Sequence, residues 1–124
     1  MKNNSIIGYT SGVFDLFHVG HLNILKNARS LCDKLIVGVS TDELVELYKK
    51  KTPIIKFSER IEIVRSIKFV DAVIAQDTMD KYEIWRKLKF NTMVVGDDWY
   101  KTEKWGSIEK NLKDCNVRVV YFPH

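Results

Sequence analysis

Ser11-Gly-Val-Phe-Asp-Leu-Phe-His-Val-Gly-His21 follows a short apolar run, Ile6-Ile7, and leads into a segment with helical spacing. The chain turns through Gly12 and enters a helix around His18 to His21. A spacing of three sets both imidazoles near one side of the first helical turn, where unpaired backbone N–H groups also point outward. Such an end attracts anions, and two imidazole N–H donors beside it form a cradle for phosphate. Gly20 leaves room for a triphosphate to approach the backbone. Zinc is the competing reading of paired histidines, but it needs one or two further ligands. The only other histidine is His124, and the two cysteines, Cys32 and Cys115, have no metal-type spacing.

Outward from this stretch, strand and helix alternate. Leu35–Val39, Ala72–Ala75, Met93–Val95 and Val117–Phe122 are short, β-branched runs that read as buried strands. Between them, Leu22, Leu25, Ala28, Arg29 and Cys32 share one helical face, and Ile61, Val64, Ile67 and Lys68 another. Ile84, Trp85 and Leu88 form a third, and Ile108 with Leu112 a fourth. Thr41, Ser58 and Asp80 stand where helix caps are expected, and Pro53 marks the segment from Lys49 to Lys56 as a loop. The order β-α-β-α-loop-α-β-α-β-α-β predicts an α/β Rossmann-like three-layer sandwich with a parallel sheet of about five strands. Ligands of such sheets bind outside the carboxyl ends of the strands, at the switch point beside the first strand. Ser11–His21 falls at that place.

Composition narrows the function classes. A chain of 124 residues with 45% hydrophobic and 29% charged residues is one ordinary globular domain. No apolar run approaches the ~18 residues of a membrane span, and the first residues carry no signal-peptide pattern, so the expected location is the cytoplasm. The net charge of +4 is scattered except for Lys49-Lys-Lys51. There is no Arg-rich arm, aromatic RNA-binding stripe or zinc-finger spacing, which argues against a nucleic-acid partner.

Gly12-Val-Phe-Asp-Leu-Phe-His-Val-Gly-His21 resembles the signature of the cytidylyltransferases within the HxGH nucleotidyltransferase superfamily. Ser40-Thr-Asp-Glu43, the lysines at 49 and 51, Ser58-Glu-Arg60, Phe69-Val-Asp-Ala-Val-Ile74 and Gly96-Asp-Asp-Trp99 follow in the family's order. Within the family the nearest likeness is to the glycerol-3-phosphate cytidylyltransferases. The resemblance implies transfer of CMP from CTP to a phosphorylated alcohol, most simply glycerol 3-phosphate, with Mg²⁺ accompanying the triphosphate and a homodimer meeting through residues 56–70. It implies that His18, His21, Lys49 and Lys51 act on the triphosphate. Gly12, Val13, Phe14, Gly20, Gly96, Asp97, Asp98 and Trp99 would surround the nucleotide. Arg60 and Lys68 would bind a substrate phosphate, with Asp15 a carboxylate near the metal. Phosphocholine, phosphoethanolamine or a sugar phosphate is the alternative acceptor, and a nucleotide-binding module without turnover the alternative class.

The chain departs from the pattern at four places. Val13 stands where Thr is usual among the glycerol-3-phosphate enzymes, and Lys68 replaces an Arg, keeping charge but losing the bidentate fork. Tyr100–Gly106 reads as an insertion. The chain stops at Tyr121-Phe-Pro-His124, where the family continues with a segment of the form R-T-x-G-I-S-T-T that binds the triphosphate. A weakened nucleotide clamp is the expectation.

Overall fold

A computed structural model describes residues 5–96 and 103–122 of the chain. Its elements run β1 (Ile7–Gly12), α1 (Val19–Arg29), β2 (Lys34–Ser40), α2 (Asp42–Lys49), α3 (Phe57–Arg65), β3 (Ala72–Gln76), α4 (Lys81–Leu88), β4 (Thr92–Gly96), α5 (Glu103–Asp114) and β5 (Arg118–Phe122). The strands form one sheet in the order β3-β2-β1-β4-β5, and every pairing is parallel. This is the expected α/β Rossmann-like architecture.

Side-chain alternation along the strands builds both outer layers. Leu35, Val37 and Val39 of β2 join Val94 of β4 in a core with Leu25 and Ala28 of α1 and Val64 of α3. Ile36 of β2 and Met93 and Val95 of β4 face the other way, onto Ile84 of α4 and Ile108 and Leu112 of α5. Tyr9 lies wholly within this second layer, its ring stacked 5.1 Å from Phe90. Its hydroxyl crosses β2 to donate to Gln76 Oε1 at 2.6 Å. That path exists because position 38 is glycine: a Cβ there would sit 1.9 Å from the Tyr9 oxygen. Burial pushes the Tyr9 phenol far above its ordinary pKa, so it remains a neutral donor.

Local chemistry explains most helix starts. Thr41 Oγ1 accepts from Leu44 N at 3.2 Å, and Asp80 Oδ1 accepts from Tyr82 N at 3.0 Å, both as expected of caps. Ser58 is not a cap. α3 begins at Phe57 after Lys56, with no side-chain cap of its own. The distant Asp42 Oδ2 takes the Phe57 N–H at 3.2 Å instead, so tertiary structure supplies what the local sequence omits. Residues 103–106, read as part of an insertion, open α5.

Candidate active site

β1 lies at the centre of the sheet, and the chain leaves it toward β2 on one side before returning to β4 on the other. The carboxyl ends of β1 and β4 therefore flank a crevice where successive connections diverge, the usual ligand position of an open parallel sheet. Val13–His18 crosses this crevice. Phe14 and Leu16 both occupy the left-handed region, with φ of 57° and 51°. For residues with a Cβ this costs about 1–2 kcal/mol each, and tertiary contacts hold it. Phe14 is buried, and its ring fills the space that a Cβ on Gly12 would enter, 3.2 Å away. It also meets the edge of His21 at 5.5 Å. Gly12 and Phe14, expected against a nucleotide, thus interlock as packing beneath the second histidine.

His18 is the N-cap of α1, a role usually given to Ser, Thr, Asp or Asn. Its Nδ1 accepts from Gly20 N at 3.0 Å, while its own N–H donates to His21 Nδ1 at 3.1 Å. Both Nδ1 atoms are acceptors, so each neutral imidazole carries its proton on Nε2. The rings lie 4.1 Å apart. Phe17, at 5.2 Å, joins Phe14 in bracing His21. No acidic side chain occupies the first turn of α1, so the positive end of the helix dipole is left for an anion. Gly20 has a different task from the one expected. A Cβ there would lie 2.7 Å from His18 Cε1, so its bareness lets the His18 ring fold over the turn.

A cavity of about 700 Å³ opens beside this turn, lined by His18, Gly20, His21, Asn23, Ile24, Lys26 and Asn27. That volume accommodates a nucleotide-sized ligand. Asn23, Lys26 and Asn27 were not anticipated. Their signal was available, since they occupy the polar side of a helix whose apolar side carries Leu25 and Ala28.

Asp15 does not face an open metal position. Its Oδ2 accepts from Ile54 N and its Oδ1 from Ile55 N, both at 2.8 Å. Partial burial pushes its carboxyl upward, but these bonds, one from Leu16 N–H and the Arg60 charge outweigh it and hold the pKa below its ordinary value. Lys49 is the last residue of α2 and Lys51 lies in the connection that follows, both exposed. Lys51 is three residues from the held Ile54, which keeps its backbone within ~10 Å of that bond.

Arg60 is not a ligand for a substrate phosphate. It is fully buried, and its guanidinium is spent on the protein. Nε donates to Ile55 O, and Nη1 to both Val13 O and Ser40 O, each at 2.8 Å. Nη2 pairs with Asp42 at 2.6 Å. Val13 therefore serves the site through its carbonyl. Lys68 is also displaced from its expected role. It precedes Asp71, whose N–H donates to Leu35 O at the start of β2. This is the amino edge of the sheet, a strand length of roughly 17–20 Å from the histidines.

Gly96 ends β4 at the crevice, paired with Phe122. Asp97, Asp98, Trp99 and His124 lie outside the described residues. Lys81, which sequence reasoning passed over, is buried at the start of α4, on the same edge. Desolvation lowers its ammonium to about 8. Among the described residues no group of three or more His, Cys, Asp or Glu could hold a metal ion, and no helix is long and apolar enough to cross a membrane.

A model of cytidylyltransferase-like proteins matches residues 9–124. The chain belongs to the cytidylyltransferase-like family. Within this nucleotidyltransferase-like group it is 35% identical over 124 residues to a FAD synthase of Thermococcus sibiricus (strain DSM 12597 / MM 739), covering 99% of this chain and 84% of that protein. It is 32% identical over 120 residues to the bifunctional protein HldE of Koribacter versatilis (strain Ellin345), of which it spans 25%. A lipopolysaccharide core biosynthesis protein from Thermoplasma volcanium GSS1 superposes with a TM-score of 0.83 at 28% identity, over 96% of this chain and 97% of that one. These relatives support the family, and not a particular nearness to glycerol-3-phosphate cytidylyltransferase.

Proposed function

We propose that this chain transfers a nucleoside monophosphate from a nucleoside triphosphate to a phosphorylated acceptor, releasing pyrophosphate. The observation that carries this is the histidine pair, whose Nδ1 atoms are both tied to the backbone at the N-terminus of α1. An acceptor phosphate oxygen, already anionic near neutral pH, attacks the α-phosphorus. The bond from that phosphorus to the β-phosphate oxygen breaks, and pyrophosphate departs. No general base is required, so the protein's contribution is alignment and N–H donors at the transferring group. His18 and His21 supply Nε2–H donors, the first turn of α1 its peptide N–H groups, and Lys49 and Lys51 positive charge from the rim. Mg²⁺ enters with the triphosphate as part of the substrate, taking its ligands chiefly from phosphate oxygens and water.

For the base and acceptor we infer CTP and glycerol 3-phosphate, giving CDP-glycerol, from the likeness of Gly96-Asp-Asp-Trp99 to a cytidine-binding segment. Phosphocholine, phosphoethanolamine and sugar phosphates share the same chemistry. A second reading has its own support in the 35% identity to a FAD synthase over nearly the whole chain. FAD is a flavin phosphate joined to AMP, so the same step with ATP and a flavin phosphate would produce it. Pyrophosphate release from CTP and from ATP, against a panel of these acceptors, separates the readings. Turnover with CTP and glycerol 3-phosphate is expected. Turnover restricted to ATP and a flavin phosphate would select the second reading. Tight triphosphate binding with no release under any pairing would make the chain a binding module. We place the protein in the cytoplasm as a homodimer; sedimentation as a monomer at tens of micromolar would remove the dimer.

A further inference from the structure

We propose that Asp15 is a positioning residue whose carboxylate latches the lysine-bearing connection after α2 onto the turn that carries the histidines. Its catalytic consequence rests on the nucleotidyl-transfer reading; the latch itself rests on geometry alone. Two successive backbone N–H groups, of Ile54 and Ile55, donate to the two oxygens of one carboxylate, both at 2.8 Å. The Ile55 carbonyl then accepts from Arg60 Nε, and the same guanidinium holds Val13 O, two residues before Asp15. One carboxylate and one buried guanidinium thus clasp both segments, and paired charge-assisted bonds fix orientation as well as proximity.

Apart from the latch, an exposed bond from Thr52 Oγ1 to Glu46 Oε2 at 3.3 Å ties the connection back to α2. Between Lys50 and Ile54 only Pro53 is buried; Ile54 is 74% exposed and Lys50 stands in the left-handed region at φ 58°. Ile54 is three positions from Lys51 and Asp15 three from His18, so the latch holds the lysine-bearing segment beside the histidine turn. Releasing it should misplace the lysines without unfolding the sheet. An error of an ångström in such alignment costs on the order of 10²-fold in rate.

Amide hydrogen exchange on the full chain and on Asp15→Asn tests the latch. The Ile54 and Ile55 amides should be slow in the native protein and at least ~10-fold faster in the variant, as loss of a hydrogen bond of this kind implies. Amides of β1 and β2 should keep their rates. If Asp15→Asn fails to fold, exchange in the native chain decides: protected amides at 54 and 55 uphold the latch, and amides as fast as those of Lys51 and Thr52 overturn it. In parallel, kcat/KM for the triphosphate should fall on the order of 10²-fold in Asp15→Asn, and Lys51→Ala should then add less than it does alone. Fully additive losses would overturn the positioning role. Absence of turnover in the native chain would refute the functional reading while the exchange result still judged the latch.

Discussion

At the amino ends of the strands, Asp33, Asp71 and Asn91 each precede a strand and accept an N–H at the head of its neighbour. Ile6 N donates to Asp33, Leu35 N to Asp71 and Ile7 N to Asn91, each at 2.7 Å. At the carboxyl ends, Asp15, Asp42 and Arg60 also bind backbone groups, but those groups lie on loops and element ends between 5 and 47 residues away. The first set continues the ladder past its last regular bond. The second holds loops in place and, among the described residues, carries a buried guanidinium and a buried lysine that the first lacks. Left-handed residues with side chains occur at both edges, Phe14 and Leu16 at one and Lys89 and Asn116 at the other, but buried charge gathers at the edge where ligands of such sheets bind.

The largest test of this contrast is Arg60→Met. It strands Asp42 and the carbonyls of Val13, Ser40 and Ile55 together, and should lower stability by about 3–5 kcal/mol in denaturant melts. Lysine should not rescue it, since one ammonium cannot reproduce the fork. A loss under 1 kcal/mol would mean that these loops do not depend on the guanidinium.

His18→Ala and His21→Ala should each lower turnover about 10²–10³-fold, the usual effect of losing one transition-state donor. Their stability losses should stay near ~1 kcal/mol, the scale of a helix cap. Near-normal turnover in both would leave the edge without its chemistry.

Lys81 offers a pH-dependent version of the same contrast. Burial lowers its pKa from 10.5 to about 8, so the unfolded chain binds more protons across that interval. Stability should therefore rise as pH goes from 8 to 10.5, by up to about 3 kcal/mol, with the full penalty present below 8. Comparison with Lys81→Met isolates the effect, and parallel stability profiles for the two proteins would contradict it.

The smallest effects belong to the other edge. Asn91→Ala and Asp71→Ala should each cost about 1–2 kcal/mol of stability, with KM unchanged. Lys68→Ala should alter stability by less than ~0.5 kcal/mol and leave turnover intact. A rise in KM for Lys68→Ala would place that lysine back at the site.

Element order was legible in the sequence because each strand of a doubly covered parallel sheet is a short apolar run, and each helix shows one apolar stripe. The switch point followed from that order, and the histidine pair stood out by its place there. The roles of Arg60, Asp15 and Phe14 were not legible. Asp15 and Arg60 depend mostly on partners many residues away, and a charged residue reads the same whether it meets a phosphate or three carbonyls; Phe14 depends on a left-handed backbone that its residue type does not announce. Lys68 was misplaced because a motif fixes residue order, not which edge of the sheet a residue occupies. Gly20 was read as space for a ligand when the space belongs to His18. The cap of α3 was missed for a similar reason, since Asp42 is fifteen residues from the N–H it receives.

The histidine tautomers test the account most directly. Nitrogen-15 spectra of the imidazoles should show both His18 and His21 protonated at Nε2 in the free protein. Their Nε2 resonances should shift when a Mg²⁺-nucleoside triphosphate is added, as donors to phosphate. Protonation at Nδ1 in either ring, or Nε2 resonances indifferent to saturating CTP and ATP, would contradict the claim that this turn is a triphosphate cradle.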